Sequence, residues 1–359
     1  MKTLNDFDFR GKRVLVRCDL DVSLDEQGNV LEDFRIEKTV PTIKYLIENE
    51  ARIVLIGHLG RPAGQVVENL RLNPVRIKLS QLLGLPIAMA LDCIGPEAEK
   101  MANEMKVGDI LMLENLRFHK EEEENDQSFA KELAKLGDIY INDAFATCHR
   151  KHASIAALAK LLPAGAGFLL EEEIKALEKM MENPEKPLVA IIGGKKIETK
   201  AKFINKISEI ADFVLISGLL KKEIDEKGTI LSHVEKIVQP IDEKEGGKDI
   251  GYGTVKLFRE KIKIAKTIFW NGPFGKIEDE RFADGTKDIA EAIIESKAFS
   301  VVGGGETVEF INKLNLISKF NHVSTGGGAM LAFLVGEEMP GIEALKWHPS
   351  SAKQAFSDQ

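Results

Sequence analysis

Several charged side chains recur at comparable points of the first half of the chain. Arg17, Asp19 and Asp21 fall in RCDLDV, with Arg35 one short loop later; His58 and Arg61 fall in GHLGRP. Arg117 falls in LENLRF, and Arg150 lies between two histidines in NDAFATCHRKHAS. Guanidinium forks grip carboxylate or phosphate through two oxygens at once. A set of them converging on one rim would hold a small anionic acid. Any single arginine could equally be a surface residue satisfying a local acid; the recurrence argues for a site.

The second half offers glycine at the corresponding points: GGKKIETK (193–200), SGLL (217–220), NGPFG (271–275), GGGET (303–307) and STGGGA (324–329). Glycine lets backbone approach phosphate oxygens and turn tightly into a helix whose first N–H groups attract anions. None of the five is a GxxxxGK[ST] loop, and none has the GxGxxG spacing followed by an acid, so P-loop and standard nicotinamide chemistries are excluded. Side chains for an acid in one half and backbone for phosphates in the other imply phosphoryl transfer between a nucleotide and that acid. A carboxylate acceptor is already ionised and needs no general base, in keeping with the lack of a Ser–His–Asp or Cys–His constellation. His119, His233, His322 and His348 read as structural, and Cys148 as small filler.

These residues need elements to place them. Short aliphatic runs alternate with longer amphipathic stretches, the pattern of βαβ units and parallel sheets. Strands are expected at RVLVR from Arg13, RIVLI from Arg52, DILML from Asp109 and IYIN from Ile139. A second series is expected at LVAII from Leu188, FVLIS from Phe213, TIFW from Thr267, SVVGG from Ser300 and HVST from His322. Ligands of such sheets bind beyond the carboxyl ends of the strands, where all the segments above fall. GFLLEEEIKALEKMMENP reads as one helix joining two lobes, stopped by Asn183-Pro184. The acidic run Glu121 to Glu124 reads as a solvated face, and Trp347 as a residue packing on the body.

The bulk numbers agree. With 359 residues, two domains are the prior, and 44% hydrophobic with 30% charged residues suits two cores under a polar surface. A net charge of −8 argues against generic nucleic-acid or membrane binding. No apolar run reaches bilayer length, and the start lacks a signal-peptide pattern. Three widely spaced cysteines suggest neither a disulfide framework nor a zinc site and point to the cytoplasm.

In order along nearly the whole chain, these motifs resemble those of the phosphoglycerate kinases. RCDLDV, GHLGRP, LENLRF and NDAFATCHRKHAS are similar to that family's RVDLNVP, SHLGRP, LENLRF and NDAFGTAHRAHAS. GGKKIETK, WNGPFG, GGGET and STGGGA are similar to its GGAKVSDK, WNGPMG, GGGDT and STGGGAS. The resemblance implies an α/β fold of two doubly wound parallel-sheet, Rossmann-like lobes joined by a helix, with a C-terminal segment returning to the first lobe. The implied domains are 1–167 for phosphoglycerate, 168–184 for the joining helix, 185–340 for nucleotide and 341–359 for the returning tail. The implied reaction moves phosphoryl between 1,3-bisphosphoglycerate with MgADP and 3-phosphoglycerate with MgATP, in a cytoplasmic monomer. By the same resemblance Asp19, Asp21, Arg35, His58, Arg61, Arg117 and Arg150 hold the phosphoglycerate. Arg35, Lys196, Gly327 and Gly328 serve the moving phosphoryl group. Gly194, Lys195, Lys196, Lys200, Gly218, Asn271, Pro273, Glu278, Gly305, Glu306, Thr307, Ser324, Thr325 and Gly326 surround the nucleotide, with Glu306 in the place of the magnesium-binding acid.

The chain departs from the family pattern mainly in its second half. Asp21 replaces asparagine, Lys195 alanine, Leu219 a glycine, Glu306 aspartate, and Ala332 and Val335 glutamates. The stretch between SGLL and WNGPFG is several dozen residues short, and only DIGYGT (249–254) remains of a pattern there. These departures imply weaker discrimination between ATP and GTP. A ligand-binding relative with little catalysis is the competing reading.

Overall fold

The computed structural model describes residues 1–194, 197 and 200–346. Lys195, Lys196, Trp347 and His348, and the tail assigned to 347–359, therefore lie outside the described residues. In chain order the strands are β1 (Arg13–Cys18), β2 (Arg52–Ile56), β3 (Ala88–Met89), β4 (Ile110–Met112), β5 (Ile139–Asp143) and β6 (Ala164–Ala166). Then come β7 (Leu188–Ile192), β8 (Phe213–Ile216), β9 (Ile237–Val238), β10 (Glu243–Lys244), β11 (Asp249–Ile250), β12 (Thr267–Asn271), β13 (Phe299–Gly303) and β14 (His322–Val323).

Two six-stranded sheets result, ordered β3-β4-β2-β1-β5-β6 and β14-β13-β12-β7-β8-β9. Every pairing in both is parallel. The central strands β5, β7 and β12 are buried at every position, as strands covered on both faces must be. The order reverses between β1 and β5 in the first sheet and between β7 and β12 in the second, and a crevice opens beyond the carboxyl ends at such points. Arg17 stands level with Asn142 across the first reversal, and Asn271 level with Ile192 across the second.

The chain divides into one compact unit of Met1–Glu172 with the chain from Glu338 onward, and a second of Glu173–Glu337. The division falls inside the helix Phe168–Glu182, which ends just before Asn183-Pro184. The helix Pro340–Lys346 belongs to the first unit, where the Gly341 N–H donates to the Cys148 carbonyl at 2.9 Å. No helix among the described residues is long and apolar enough to cross a membrane.

The expected strands are present, most with boundaries shifted by a residue or so. The two- and three-residue strands β3, β6 and β9 and the hairpin β10–β11 escape a periodicity argument, being too short to show a period. One expectation is corrected. Glu121 to Glu124 is not a uniformly solvated face, because Glu122 is fully buried in the one-turn helix Lys120–Glu123. Its carboxylate accepts from Ser154 Oγ at 2.6 Å and from the Ser154 N–H at 2.9 Å.

Candidate active site

In the first unit the side chains at and beyond the carboxyl ends of β1, β2, β4 and β5 form one buried polar network. Arg17, at 1% exposure, donates from Nε to Ser154 Oγ at 3.0 Å, to the Cys18 carbonyl, and from Nη2 to His58 Nδ1 at 2.9 Å. A guanidinium only donates. His58 Nδ1 is therefore the acceptor, and the neutral ring carries its proton on Nε2, which faces Asp21 Oδ2 at 3.6 Å. Asp21 in turn accepts the Gly60 N–H at 2.8 Å, tying the loop after β1 to the turn in GHLGRP. Arg35 donates to the Asp21 carbonyl at 2.9 Å and lies 3.6 Å from the Asp19 carboxylate.

Arg117, at 2% exposure, donates from Nη1 to the Gly60 carbonyl at 2.8 Å and pairs through Nε with Glu123 at 3.3 Å. Its Nη2 is buried with no hydrogen-bond partner among the described residues. A buried cationic donor left unmatched in this way is suited to an anion that arrives from outside. Arg150 is half-buried, and its charge acts on Arg117. Arg61 is exposed and takes no ion pair among the described residues. The network thus joins Asp19, Asp21, Arg35, His58 and Arg117, with Arg150 coupled through charge and Arg61 at its exposed edge.

Burial sets the protonation states. It holds His58 down to about 3 against the pull of Asp21, with Arg17 and Arg117 adding to the effect. His152 is likewise held to about 3, by burial and then by Arg117 and Arg17. Burial, with Arg150 beside it, brings Arg117 down to about 10, still cationic at neutral pH. Burial works to raise the Asp21 carboxyl, but His58, the Gly60 N–H and Arg35 together hold it well below the usual range. The extra negative charge that Asp21 brings is thereby absorbed locally.

In the second unit the loops after β7 and β12 meet across the sheet reversal. The Gly194 N–H donates to the Pro273 carbonyl at 2.8 Å, and the Gly272 N–H donates to Thr307 Oγ1 at 2.9 Å. A Cβ at Gly272 would stand 2.5 Å from the Gly193 carbonyl oxygen, and one at Gly193 would overlap the Pro273 carbonyl. Gly272 also has φ +94°, which L side chains rarely adopt. The Lys200 ammonium reaches into this cradle, donating to the Gly193 carbonyl and standing where side chains on Gly194 or Gly272 would begin. Burial brings Lys200 down to about 8, against an opposing effect of Glu306. Glu306 is exposed in the first turn of the helix Gly305–Lys313.

The STGGGA segment follows β14 and leads into the helix Gly327–Leu334, which begins with Gly327 and Gly328. Gly326 donates its N–H to Ser324 Oγ at 3.2 Å. Thr325 is committed elsewhere: Glu173 accepts its N–H at 2.7 Å and its hydroxyl at 3.0 Å, while the other Glu173 oxygen faces His322 Nε2 at 2.8 Å. Asn271 and Pro273 are buried in the cradle, and Glu278 is exposed in the loop beyond it. Gly218 begins the helix Gly218–Lys227, whose cap Ser217 donates to the Gly194 carbonyl at 2.8 Å.

Sequence reasoning missed Glu122, Ser154 and Glu173. Glu173 had a signal: it sits on the apolar face of its helix, in step with Leu169, Leu177 and Met180, all buried. Two other features carry little chemistry. Asp92, Cys93 and His119 bring ligand-capable atoms within 4.8 Å, but His119 Nε2 and Asp92 Oδ1 lie only 2.7 Å apart, hydrogen-bonded to each other. An open groove of about 970 Å³ between the helices Tyr252–Lys263 and Asp284–Ser296 includes none of the strand-end residues.

Comparison with known proteins adds an independent line. The phosphoglycerate kinase family profile matches residues 4–224 and 219–337. Phosphoglycerate kinase of Dictyoglomus turgidum is 43% identical over 388 aligned positions, covering 96% of this chain and 98% of its own length. That of Borrelia hermsii is 42% identical over 390 positions, covering 96% and 99%. Among solved structures, phosphoglycerate kinase from Pyrococcus horikoshii superposes with a TM-score of 0.87 at 34% identity, and that from Coxiella burnetii with 0.80 at 32%. Each covers 96% of this chain and 98% of the other.

Proposed function

The chain belongs to the phosphoglycerate kinase family, and from that premise we propose how its residues divide the reaction. Its activity is that of phosphoglycerate kinase, EC 2.7.2.3, a phosphoryl transfer with a carboxyl group as acceptor. The acid is 3-phosphoglycerate, or 1,3-bisphosphoglycerate in reverse. Arg117, with its buried unmatched Nη2, and Arg150 grip it, with Arg61 at the exposed edge. His58 and Asp21 position this rim, with Arg17 as the shared donor behind them. Arg35, held by the Asp21 carbonyl and beside Asp19, meets the charge that develops on the moving phosphoryl oxygens.

The observation that carries this reading is the cradle at the ends of β7 and β12, where backbone without Cβ atoms surrounds the Lys200 ammonium. It suits nucleotide phosphates, and Gly327 and Gly328 add a helix start of the same kind. Lys195 and Lys196 are assigned beside it on the sequence pattern alone. The residues also fit a magnesium ion: Glu306 offers hard oxygen at the edge of the cradle, and a divalent cation would neutralise phosphate charge there. Asn271, Pro273 and Glu278 border the nucleotide sugar and base.

The family match breaks and resumes at 219–224, and alignments of 388 positions exceed this chain's 359 residues. Both support a second unit shortened after SGLL. Cys18, Cys93 and Cys148 are buried thiols outside any disulfide, which supports a reducing, cytoplasmic setting. The test is a coupled assay of the purified chain with 3-phosphoglycerate and nucleotide. Turnover is expected only when acid, nucleotide and magnesium are all present. Binding of both ligands without turnover would favour the non-catalytic relative.

A further inference from the structure

The polar network of the first unit is a loop of hydrogen bonds and ion pairs that begins and ends on one turn of helix, Lys120–Glu123. It starts at Glu122, which accepts the Ser154 N–H at 2.9 Å and the Ser154 hydroxyl at 2.6 Å. With its one proton spent, Ser154 Oγ has only lone pairs left for Arg17 Nε at 3.0 Å. Arg17 Nη2 donates to His58 Nδ1 at 2.9 Å, and the remaining ring proton, on Nε2, faces Asp21 Oδ2 at 3.6 Å. Asp21 accepts the Gly60 N–H at 2.8 Å, and the Gly60 carbonyl accepts Arg117 Nη1 at 2.8 Å. Arg117 Nε then returns to Glu123 at 3.3 Å, one residue from the start.

Of the carboxylates in that loop, Glu122 is the fully buried one, while Asp21 and Glu123 keep contact with solvent. It therefore stands as the internal counter-charge to the buried Arg17, one hydroxyl away. Burial pushes the Glu122 carboxyl up, and Arg17 and the two Ser154 donors work to hold it down, so acid and loop sustain each other. The backbone here is held independently, since the Ser154 carbonyl accepts the Tyr140 hydroxyl at 2.7 Å. A change confined to the Glu122 carboxylate or the Ser154 hydroxyl thus reaches Arg17 without first undoing the chain path.

Resting on the reading of the first unit as the acid side, we propose that Glu122 is a positioning residue for phosphoglycerate, acting through Ser154 on Arg17 and through Arg17 on the His58 tautomer and the rim. It touches no substrate itself. Its contribution is to set the sense of each link, so that Arg17 points at His58 Nδ1 and Arg117 is held with Nη2 left over for an anion. Glutamine in its place keeps the size but offers one acceptor oxygen to two Ser154 donors, and its amide adds a donor where none is wanted. The Ser154 hydroxyl must then turn or shift, and Arg17 loses the partner that aims it. A buried donor without a partner is costly enough to move the side chain rather than leave it in place.

The test uses the full chain, Glu122→Gln, Ser154→Ala and the double variant. Calorimetry gives the dissociation constants of 3-phosphoglycerate and of ADP, thermal melting gives stability, and ¹⁵N ring signals give the His58 tautomer. Each single variant is expected to raise the 3-phosphoglycerate dissociation constant about tenfold, and the double variant no further, because both act along one path. The ADP constant should stay put, and His58 should lose its single Nε2–H signature. A 3-phosphoglycerate constant that moves less than about twofold in both single variants, whatever happens to the melting temperature, would overturn the role and leave the acid reading standing. Losses that multiply in the double variant would overturn the shared path, and with it the proposal. Absence of 3-phosphoglycerate binding by the unaltered chain would overturn the acid reading as well. Should Glu122→Gln not fold, Ser154→Ala decides alone by the same threshold.

Discussion

At the end of β1 and beyond β4, the first unit places two arginines at 1% and 2% exposure, each fixed by carbonyls, a neutral histidine or a partly exposed acid. Beyond β7 and β12, the second unit brings two turns into backbone contact at Gly193 and Gly272 and inserts one lysine between them. Both arrangements lie at the reversal of a parallel sheet, and on the proposed reading both receive anions. The first concentrates charge and must keep it desolvated, so it needs the Glu122–Ser154–Arg17 and Arg17–His58–Asp21 chains behind it. The second removes side chains until main chain meets main chain, and it needs little support except fit. Sites made of side chains should therefore fail by degrees, and sites made of backbone all at once.

The sharpest test is Gly272→Ala. With φ at +94° and the Gly193 carbonyl 2.5 Å from the new carbon, the cradle cannot close in its present form. Nucleotide binding by calorimetry is expected to fall at least about 100-fold, while 3-phosphoglycerate binding survives. Near-normal nucleotide affinity would break the comparison. Arg35→Ala comes next. It should lower kcat about 100-fold and alter 3-phosphoglycerate binding much less, because its charge matters most when the phosphoryl group is in flight. Arg150→Ala should do the reverse, mainly raising the dissociation constant; equal effects of the two on kcat would remove the distinction drawn between them.

The two sites should also differ in how they respond to pH. Lys200, brought down to about 8 by burial, attracts phosphate only when protonated. Nucleotide affinity should accordingly hold below pH 8 and fall up to about tenfold as pH rises through 8 to 9, and Lys200→Arg should abolish the fall. A pH-independent affinity in the unaltered chain would place Lys200 away from the phosphates. In the first unit, His58 and His152 are held to about 3 and stay neutral throughout. Their ring NMR signals should not move between pH 5 and 8, whereas His119, which Asp92 raises, should titrate above the ordinary imidazole value. Titration of His58 near 6.5 would show its surroundings to be wetter than described.

Much of this was legible in the sequence because parallel strands announce themselves as aliphatic runs and ligands gather at their ends. Arg17, Arg35, His58, Arg117 and the glycine turns could be named on that ground alone. Glu122 could not, since a one-turn helix has no period and three neighbouring glutamates disguise the buried one. Glu173 could have been found, as an acid on the apolar face of a 15-residue helix, though not its partners Thr325 and His322, roughly 150 residues away.

The contact between Gly193 and Gly272 also limits how this protein can change over generations. Every other amino acid at either position begins with the one carbon that the opposite backbone excludes, so there is no mild intermediate through which substitutions could drift. At Arg61 or Arg150, exposed and half-buried, a lysine would be a passable step. Variation in the second unit is thereby pushed outward, into the surroundings of the cradle. A library aimed at a new nucleotide preference should leave 193 and 272 untouched.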